Sequence, residues 1–348
     1  MPTFCLKGHA PFTMRAMLKK VLLGLLALLV FAVGALAWIV NRHPSMVPYE
    51  TLGWKQDARP AAPPVSVKVS FLGVATVLLD DGETAIMTDG FFSRPGKLQV
   101  FAGKVQPDLD AIGKGLQRAG VKKLAAIIPV HSHYDHVMDA PEVARRTGAL
   151  LLGSESTANV GRGWGLPAAQ IAVAKMNEPM RFGRFTVTLF PSRHAPTGFT
   201  GGVIDKPLVP PVRAFDYKEG QSYAILVQHE GKSLLISGSA GFEPGALAKV
   251  RADVVMLGIG TLGMRDAAYR DAYWREVVAG VKARRVIPIH WDDLWIPSDG
   301  PMQPMPIPLD RFDESMAFLR ERGTRDNVEI SLPAQWLPMD VWQEPPSR

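Results

Sequence analysis

From residue 65 to residue 71 the chain alternates apolar and polar side chains, Val-Ser-Val-Lys-Val-Ser-Phe, a period of two that predicts a half-buried strand. Gly73 punctuates the run, and 74–79 reads as a second strand. Asp80-Asp81-Gly82 predicts a hairpin turn, because Asp-Gly supplies the positive φ of a tight turn, and 85–88 returns as a third strand. The apolar run 124–130 predicts a buried strand, preceded by a weak helix over 109–119. Asp139-Ala140-Pro141-Glu142 has the form of a capped helix start, and Gly148 suits its end. Short strands follow at 150–152, 185–190, 222–228, 233–237, 254–257, 286–289 and 328–332, with helices over 266–283 and 309–322. Strands outnumber helices and the two alternate in the second half, so the expected class is α/β or α+β with a large mixed sheet system.

One stretch departs from this pattern. Residues 21–40 contain no charge, and at helical rise they span roughly 30 Å, the thickness of a bilayer core. Lys7, Arg15, Lys19 and Lys20 precede the run, which places residues 1–20 in the cytoplasm as a tail and the rest on the periplasmic, extracytoplasmic side. Two readings stay open: a retained single-pass anchor, or a signal segment cleaved near Ala37. Residues 41–64 carry Pro44, Pro48, Pro60, Pro63 and Pro64 and are expected to form a linker, leaving 65–348 as the domain.

Charge then changes the picture less than it first suggests. The net charge is +6, but Lys7, Arg15, Lys19, Lys20 and Arg42 supply five of it, leaving the domain near neutral. A nucleic-acid binder carries its basic excess in the folded domain, so nucleic acid is set aside as a partner. Cys5 is the single cysteine, which excludes an intrachain disulfide and a thiolate-based zinc site.

The candidate chemistry sits just beyond the strand at 124–130, in His131-Ser132-His133-Tyr134-Asp135-His136. Three of the eight histidines fall within six residues, together with a carboxylate, on a loop after a strand. That is where a hydrolase holds a metal ion. His194 and His290 also stand just beyond short apolar strands, whereas His9, His43 and His229 have no such placement. A metal lowers the pKa of a coordinated water and polarises a scissile bond, and Asp135 is a candidate to carry a proton. Nitrogen and carboxylate donors suit Zn²⁺, with Mn²⁺ or Fe as alternatives.

The His131–His136 stretch, His194, and His290 within Ile287-Pro288-Ile289-His290-Trp291 resemble the metallo-β-lactamase fold. Within it the pattern is similar to the branch of N-acyl-phosphatidylethanolamine phospholipase D and L-ascorbate-6-phosphate lactonase. Phe71-Leu72-Gly73-Val74-Ala75-Thr76, Thr88-Asp89-Gly90-Phe91-Phe92-Ser93 and Ile236-Ser237-Gly238-Ser239-Ala240-Gly241 support it, over roughly 65–332. The resemblance implies a four-layer αββα sandwich with a metal site on one edge. It implies that His131, His133 and His194 hold one metal and that Asp135, His136 and His290 hold a second. Asp89, at a strand end, is a candidate to orient a ligand histidine from behind, with a plain turn aspartate as the equal alternative.

The resemblance also exposes a departure. Ser239 stands where the family has an aspartate that bridges two metals, so a weaker second metal or a mononuclear site is expected. Asp292 and Asp293 are candidate substitutes, with a surface or structural role as the plainer reading. Val74 replaces a histidine common in this branch. Two functions remain in view: a membrane-anchored hydrolase of a phosphodiester, lactone or amide, acting on a small-molecule or lipid-like substrate, and a metal-binding or sensory protein with altered hydrolytic activity. Arg193, Arg213 and Arg265 are candidates to grip an anionic group, against a plain surface role.

Overall fold

Three antiparallel strands begin the domain in the computed structural model, which describes residues 12–54, 67–198 and 201–343. They are β1 (Lys68–Gly73), β2 (Thr76–Asp80) and β3 (Ala85–Thr88). The expected turn joins β2 to β3: Gly82 has φ +86°, and the Asp81 carboxylate accepts from Glu83 N at 2.9 Å and Thr84 N at 2.7 Å. The alternation that predicted β1 begins at residues 65 and 66, which lie outside the described residues.

From β3 onward the first sheet is parallel, through β4 (Ala126–Ile128), β5 (Leu150–Gly153) and β6 (Ile171–Val173). A second sheet contains β7 (Pro179–Phe182), β8 (Phe185–Ser192), β9 (Ser222–His229), β10 (Lys232–Ser237), β11 (Val254–Gly258), β12 (Arg285–Ile289) and β13 (Glu329–Ile330), hydrogen-bonded in reverse order. A short β14 (Pro338–Met339) returns to pair with β1 and completes the first sheet. Both sheets are mixed, and side chains from each, Val77 and Ile127 from one and Ile225 and Leu235 from the other, share one buried core. Helices α3 (Leu109–Arg118), α5 (Ala140–Thr147) and α6 (Glu155–Gly163) lie with the first sheet, α7 (Ala267–Trp274) and α8 (Phe312–Asp326) with the second. This is the α/β architecture of two sheets packed with helices.

The direction of the strands places the site. β3 and β4 run parallel, as do β10, β11 and β12, and β8 shares the direction of β10 because both are antiparallel to β9. Asp89, His131, Ser239 and His290 therefore follow the carboxyl ends of strands, as His194 follows β8.

Several local expectations shift. Asp139 occupies the N-cap of α5 but does not cap it; its carboxylate accepts instead from Phe92 N, Ser93 N and Ser93 Oγ, at 2.6–2.8 Å. Gly148 closes α5 in the left-handed region, φ +75°, as its sequence position predicts. The helix expected over 266–283 starts on an Asp266 cap and leaves α-geometry at Trp274 for a π turn, Arg275–Ala279. α8 begins and ends a few residues later than the sequence suggests, a usual uncertainty of helix ends.

Of the linker expected over 41–64, residues 41–54 are described. Proline does stop longer elements there, but Val47–Leu52 forms a 3-10 helix and lays Tyr49 on the domain. Tyr49 is buried edge-on against Phe312 at 5.3 Å and donates to Asp313 Oδ1 at 2.7 Å. Leu52 O accepts from Leu332 N, and Trp54 N donates to Leu332 O. Residues 55–64 lie outside the described part. Before this clasp, α1 (Phe12–Val40) contains one helix, Ala16–Val40, long and apolar enough to cross a membrane and exposed along its length.

Candidate metal centre

After β4 the chain turns back on itself so that His131, His133, Asp135 and His136 face one edge. Asp89 makes that turn. It adopts φ +53°, its Oδ1 accepts from Val130 N at 2.8 Å, and its Oδ2 lies 2.7 Å from His136 Nδ1. The short helix α4 (Tyr134–Val137) then carries Asp135 and His136 inward. With Nδ1–H given to Asp89, His136 presents Nε2, which lies 3.2 Å from His290 Nε2.

His194 is aimed the same way by its own backbone neighbours. Its Nδ1 lies 2.7 Å from the Ala195 carbonyl, leaving Nε2 for the site, and its N–H donates to Glu219 Oε1 at 3.1 Å. His290 follows β12 in the left-handed region, φ +54°, with its N–H donating to the Val74 carbonyl at 2.7 Å. Val74 thus meets the centre through its backbone.

The donor atoms gather as two triads, His131–His133–His194 and Asp135–His136–His290, each with its ligand atoms within 4.8 Å of one another. The triads touch: the His131 and His136 rings are 3.9 Å apart between centroids. Within them His131 Nε2 lies 3.0 Å from His133 Nδ1, and Asp135 Oδ2 lies 3.5 Å from both His136 Nε2 and His290 Nε2.

Electrostatics prepare these groups to bind a cation. Burial, reinforced by the neighbouring histidines, holds His131 well below its ordinary value, so it is the neutral imidazole that a metal requires. Burial also lowers His194. Asp135 resists its own burial, and His136, His290 and His133 hold its carboxylate well below the usual range. Burial alone would lower His136, but Asp135 and Asp89 outweigh it and raise it. Ring nitrogens facing each other at about 3 Å, with an ionised carboxylate between them, fit a divalent cation by chemistry of the donor set.

Other candidates fall outside the triads. Ser239 Oγ accepts from Ala195 N at 3.0 Å, and its carbonyl accepts from Tyr273 OH at 3.0 Å, so the hydroxyl fastens the segment after β10 to the one carrying His194. Asp292 is fully buried; it accepts from Val74 N at 2.8 Å and pairs with Arg94 Nη2 at 2.7 Å. Asp293 Oδ1 accepts from Trp295 N. These partners make Asp292 and Asp293 structural. Arg193 pairs with Glu243 and Arg213 with Asp216 at the surface, while Arg265 donates to the Pro196 and Thr261 carbonyls. Among the residues that sequence reasoning passed over, Glu219 positions His194, and Asp310 shares a cavity with His194, Ser239 and His290. Neither carries a local pattern that would single it out.

Known proteins bear on this arrangement. Residues 84–291 match the Beta-lactamase superfamily domain. A UPF0173 metal-dependent hydrolase of Heliobacterium modesticaldum is 26% identical over 235 residues, covering 64% of this chain and 82% of that protein. One from Thermococcus kodakarensis is 27% identical over 240 residues, covering 66% and 87%. Among solved structures, Igni18, a metallo hydrolase from Ignicoccus hospitalis, is 15% identical, covers 79% of this chain and 97% of its own, and superposes with a TM-score of 0.48. The domain match carries the superfamily and does not extend to the narrower branch named above. From Asp89 to His290 the strand ends that build the centre all lie inside the matched span, and the chain belongs to the beta-lactamase superfamily, with its metallo-β-lactamase fold.

Proposed function

We propose that the protein is a metal-dependent hydrolase, with His131, His133 and His194 holding one Zn²⁺ and Asp135, His136 and His290 a second. One observation carries this reading: six donor groups from three separated parts of the chain converge as two adjoining triads. The similarity to metal-dependent hydrolases supports it. When bound, the metal supplies Lewis acidity and an acidified water. The chain's own part is to hold His131 and His194 as neutral imidazoles and to keep Asp135 ionised, 3.5 Å from His136 and His290, as a proton acceptor near the nucleophile. Asp89 and the Ala195 carbonyl fix the tautomers of His136 and His194. Phosphodiester, lactone and amide substrates all suit such a centre.

The test is metal analysis of the purified protein beside His131→Ala. Metal content and hydrolysis should fall together in the variant, and unchanged metal content would sink the ligand assignment. A second reading, a metal-binding protein without hydrolysis, draws on Ser239, a neutral hydroxyl that shares a cavity with His194 and His290. Ser239→Asp separates them, because an added carboxylate should raise the metal-to-protein ratio if the second ion is held weakly. The reading also includes a membrane anchor at Ala16–Val40 with the domain on the extracytoplasmic side, supported by the helix's apolar length and its basic flank.

A further inference from the structure

A cavity of about 90 Å³ opens beside the two triads, with His194, Ser239 and His290 on one wall. By volume it holds roughly three water-sized groups, or a substituent of three or four heavy atoms. Asp310 also lines it and has 1% of its surface exposed. Its Oδ1 accepts from Arg311 N at 2.7 Å, and the Thr261 backbone N–H also acts on the carboxylate. The other, Oδ2, is buried and has no partner among the described residues. Thr261 and His290 line the same cavity, and Thr261 Oγ1 and His290 Nδ1 share that condition.

Buried polar atoms are nearly always paired, and three unpaired ones around one small space point to a ligand. Backbone strain agrees. Thr261, a β-branched residue, sits at φ +64°, and His290 at φ +54°, a conformation that persists where function requires it. Leu294, Met305 and Leu309 add apolar lining and leave the carboxylate as the strongest acceptor.

We propose that this cavity is a substrate subsite that receives a hydrogen-bond donor, an ammonium or amide N–H or a hydroxyl, on Asp310 Oδ2 and Thr261 Oγ1, and that it turns away anionic groups. It rests on the metal-centre reading above, since it places that donor a few atoms from the bond under attack. Burial pushes the Asp310 carboxyl up to about 6, against the Thr261 and Arg311 backbone N–H groups and the nearby His290 and Arg265, which draw it down, so it is ionised above neutral pH. Arg265 is itself spent on the Thr261 and Pro196 carbonyls, and neither it nor any other cation pairs with Oδ2 among the described residues.

Small thiols test this without knowledge of the natural substrate. The thiolate binds the metal, and a two-carbon tail reaches the cavity carrying an ammonium (cysteamine), a methyl (1-propanethiol) or a carboxylate (3-mercaptopropionate). Affinities are read from the thiolate-to-cobalt absorption of the cobalt-loaded protein at about pH 8. Cysteamine should bind best and 3-mercaptopropionate worst, with a spread of at least about tenfold, the range of one charged hydrogen bond. Asp310→Asn keeps the shape and the backbone contacts but turns a donor toward the cavity, so the spread should collapse or reverse at unchanged cobalt content. An equal affinity of the wild type for all three thiols, or an order unaltered in Asp310→Asn, overturns the proposal. Should that variant not fold, Leu309→Phe, which fills the cavity, must weaken the tailed thiols while cobalt stays bound, and undiminished binding overturns it. A wild type that takes up no cobalt removes the metal centre itself, a different signature.

Discussion

His136 meets the centre through one ring nitrogen and the protein through the other. The Asp89 carboxylate behind it accepts from Val130 N as well, so one side chain fixes both the turn after β4 and the tautomer of a ligand. Asp89→Asn keeps the bond from Val130 N but sets an amide N–H against His136 Nδ1–H. Metal affinity should fall by about ten- to a hundredfold, the usual cost of losing such a partner. Competition with a chromophoric chelator measures it, and an unchanged affinity would reduce Asp89 to a turn former. A second carboxylate acts on stability alone. Asp81 is buried at the hairpin; its burial opposes the charge, yet Thr84 N, Glu83 N, His229 and Arg184 together bring it from 3.8 to about 2. A lowered folded value means that its stabilising share is complete above about pH 4 and is lost as pH falls through about 2. The melting-temperature gap between wild type and Asp81→Asn should therefore shrink from pH 5 to pH 2, and a constant gap would contradict the assignment.

Elements carry the next layer, because the site exists only where strand ends are pressed together. The segment after β10 crosses the segment after β8 so closely that a Cβ on Gly241 would meet the Arg193 carbonyl and lie 2.7 Å from the His194 carbonyl. Gly241→Ala should cost about 1–3 kcal/mol by overpacking against backbone. It should also lower metal content, since His194 must move; full metal content at reduced melting temperature would mean that the centre tolerates the shift. What could be read from residues alone follows the same division. Alternation and β-branched runs announced β1 to β4 and β8 to β12, and so the strand ends bearing His131, His194 and His290. The edge strands β6, β7 and β14 escaped, being only two to four residues long and half exposed. Helix α6, Glu-Ser-Thr-Ala-Asn-Val-Gly-Arg-Gly, was hidden by poor intrinsic propensity; the Ser154 cap and burial against β5 form it instead. Asp310 was illegible for another reason. A lone aspartate after a Pro-rich stretch gains meaning only from the cavity it faces.

At the scale of the whole molecule, the question is whether α1 holds the domain at a membrane or is removed from it. The base of the helix is gripped by the domain rather than hung from a tether. Lys97 Nζ donates to the Asn41 side chain at 2.7 Å and to the Val40 carbonyl at 3.3 Å, Ile307 N donates to the Arg42 carbonyl at 2.8 Å, and His43 Nδ1 lies 2.7 Å from the Pro304 carbonyl. Beside that base, α2 (Lys97–Ala102) exposes Leu98 and Phe101, apolar side chains of the kind that rest at a bilayer surface. An anchored chain should therefore stay with membranes through high salt and alkaline carbonate, and leave only with detergent. Cleavage near Ala37 would cut α1 just before the gripped residues and yield a water-soluble domain that keeps Asn41, His43 and the Tyr49 clasp. The mass of the extracted protein decides between them: the uncut apolar segment in the membrane fraction supports the anchor, and a shortened soluble form overturns it. Metal content per domain should be equal in the full chain and in a chain begun at residue 41, because every proposed ligand follows β1.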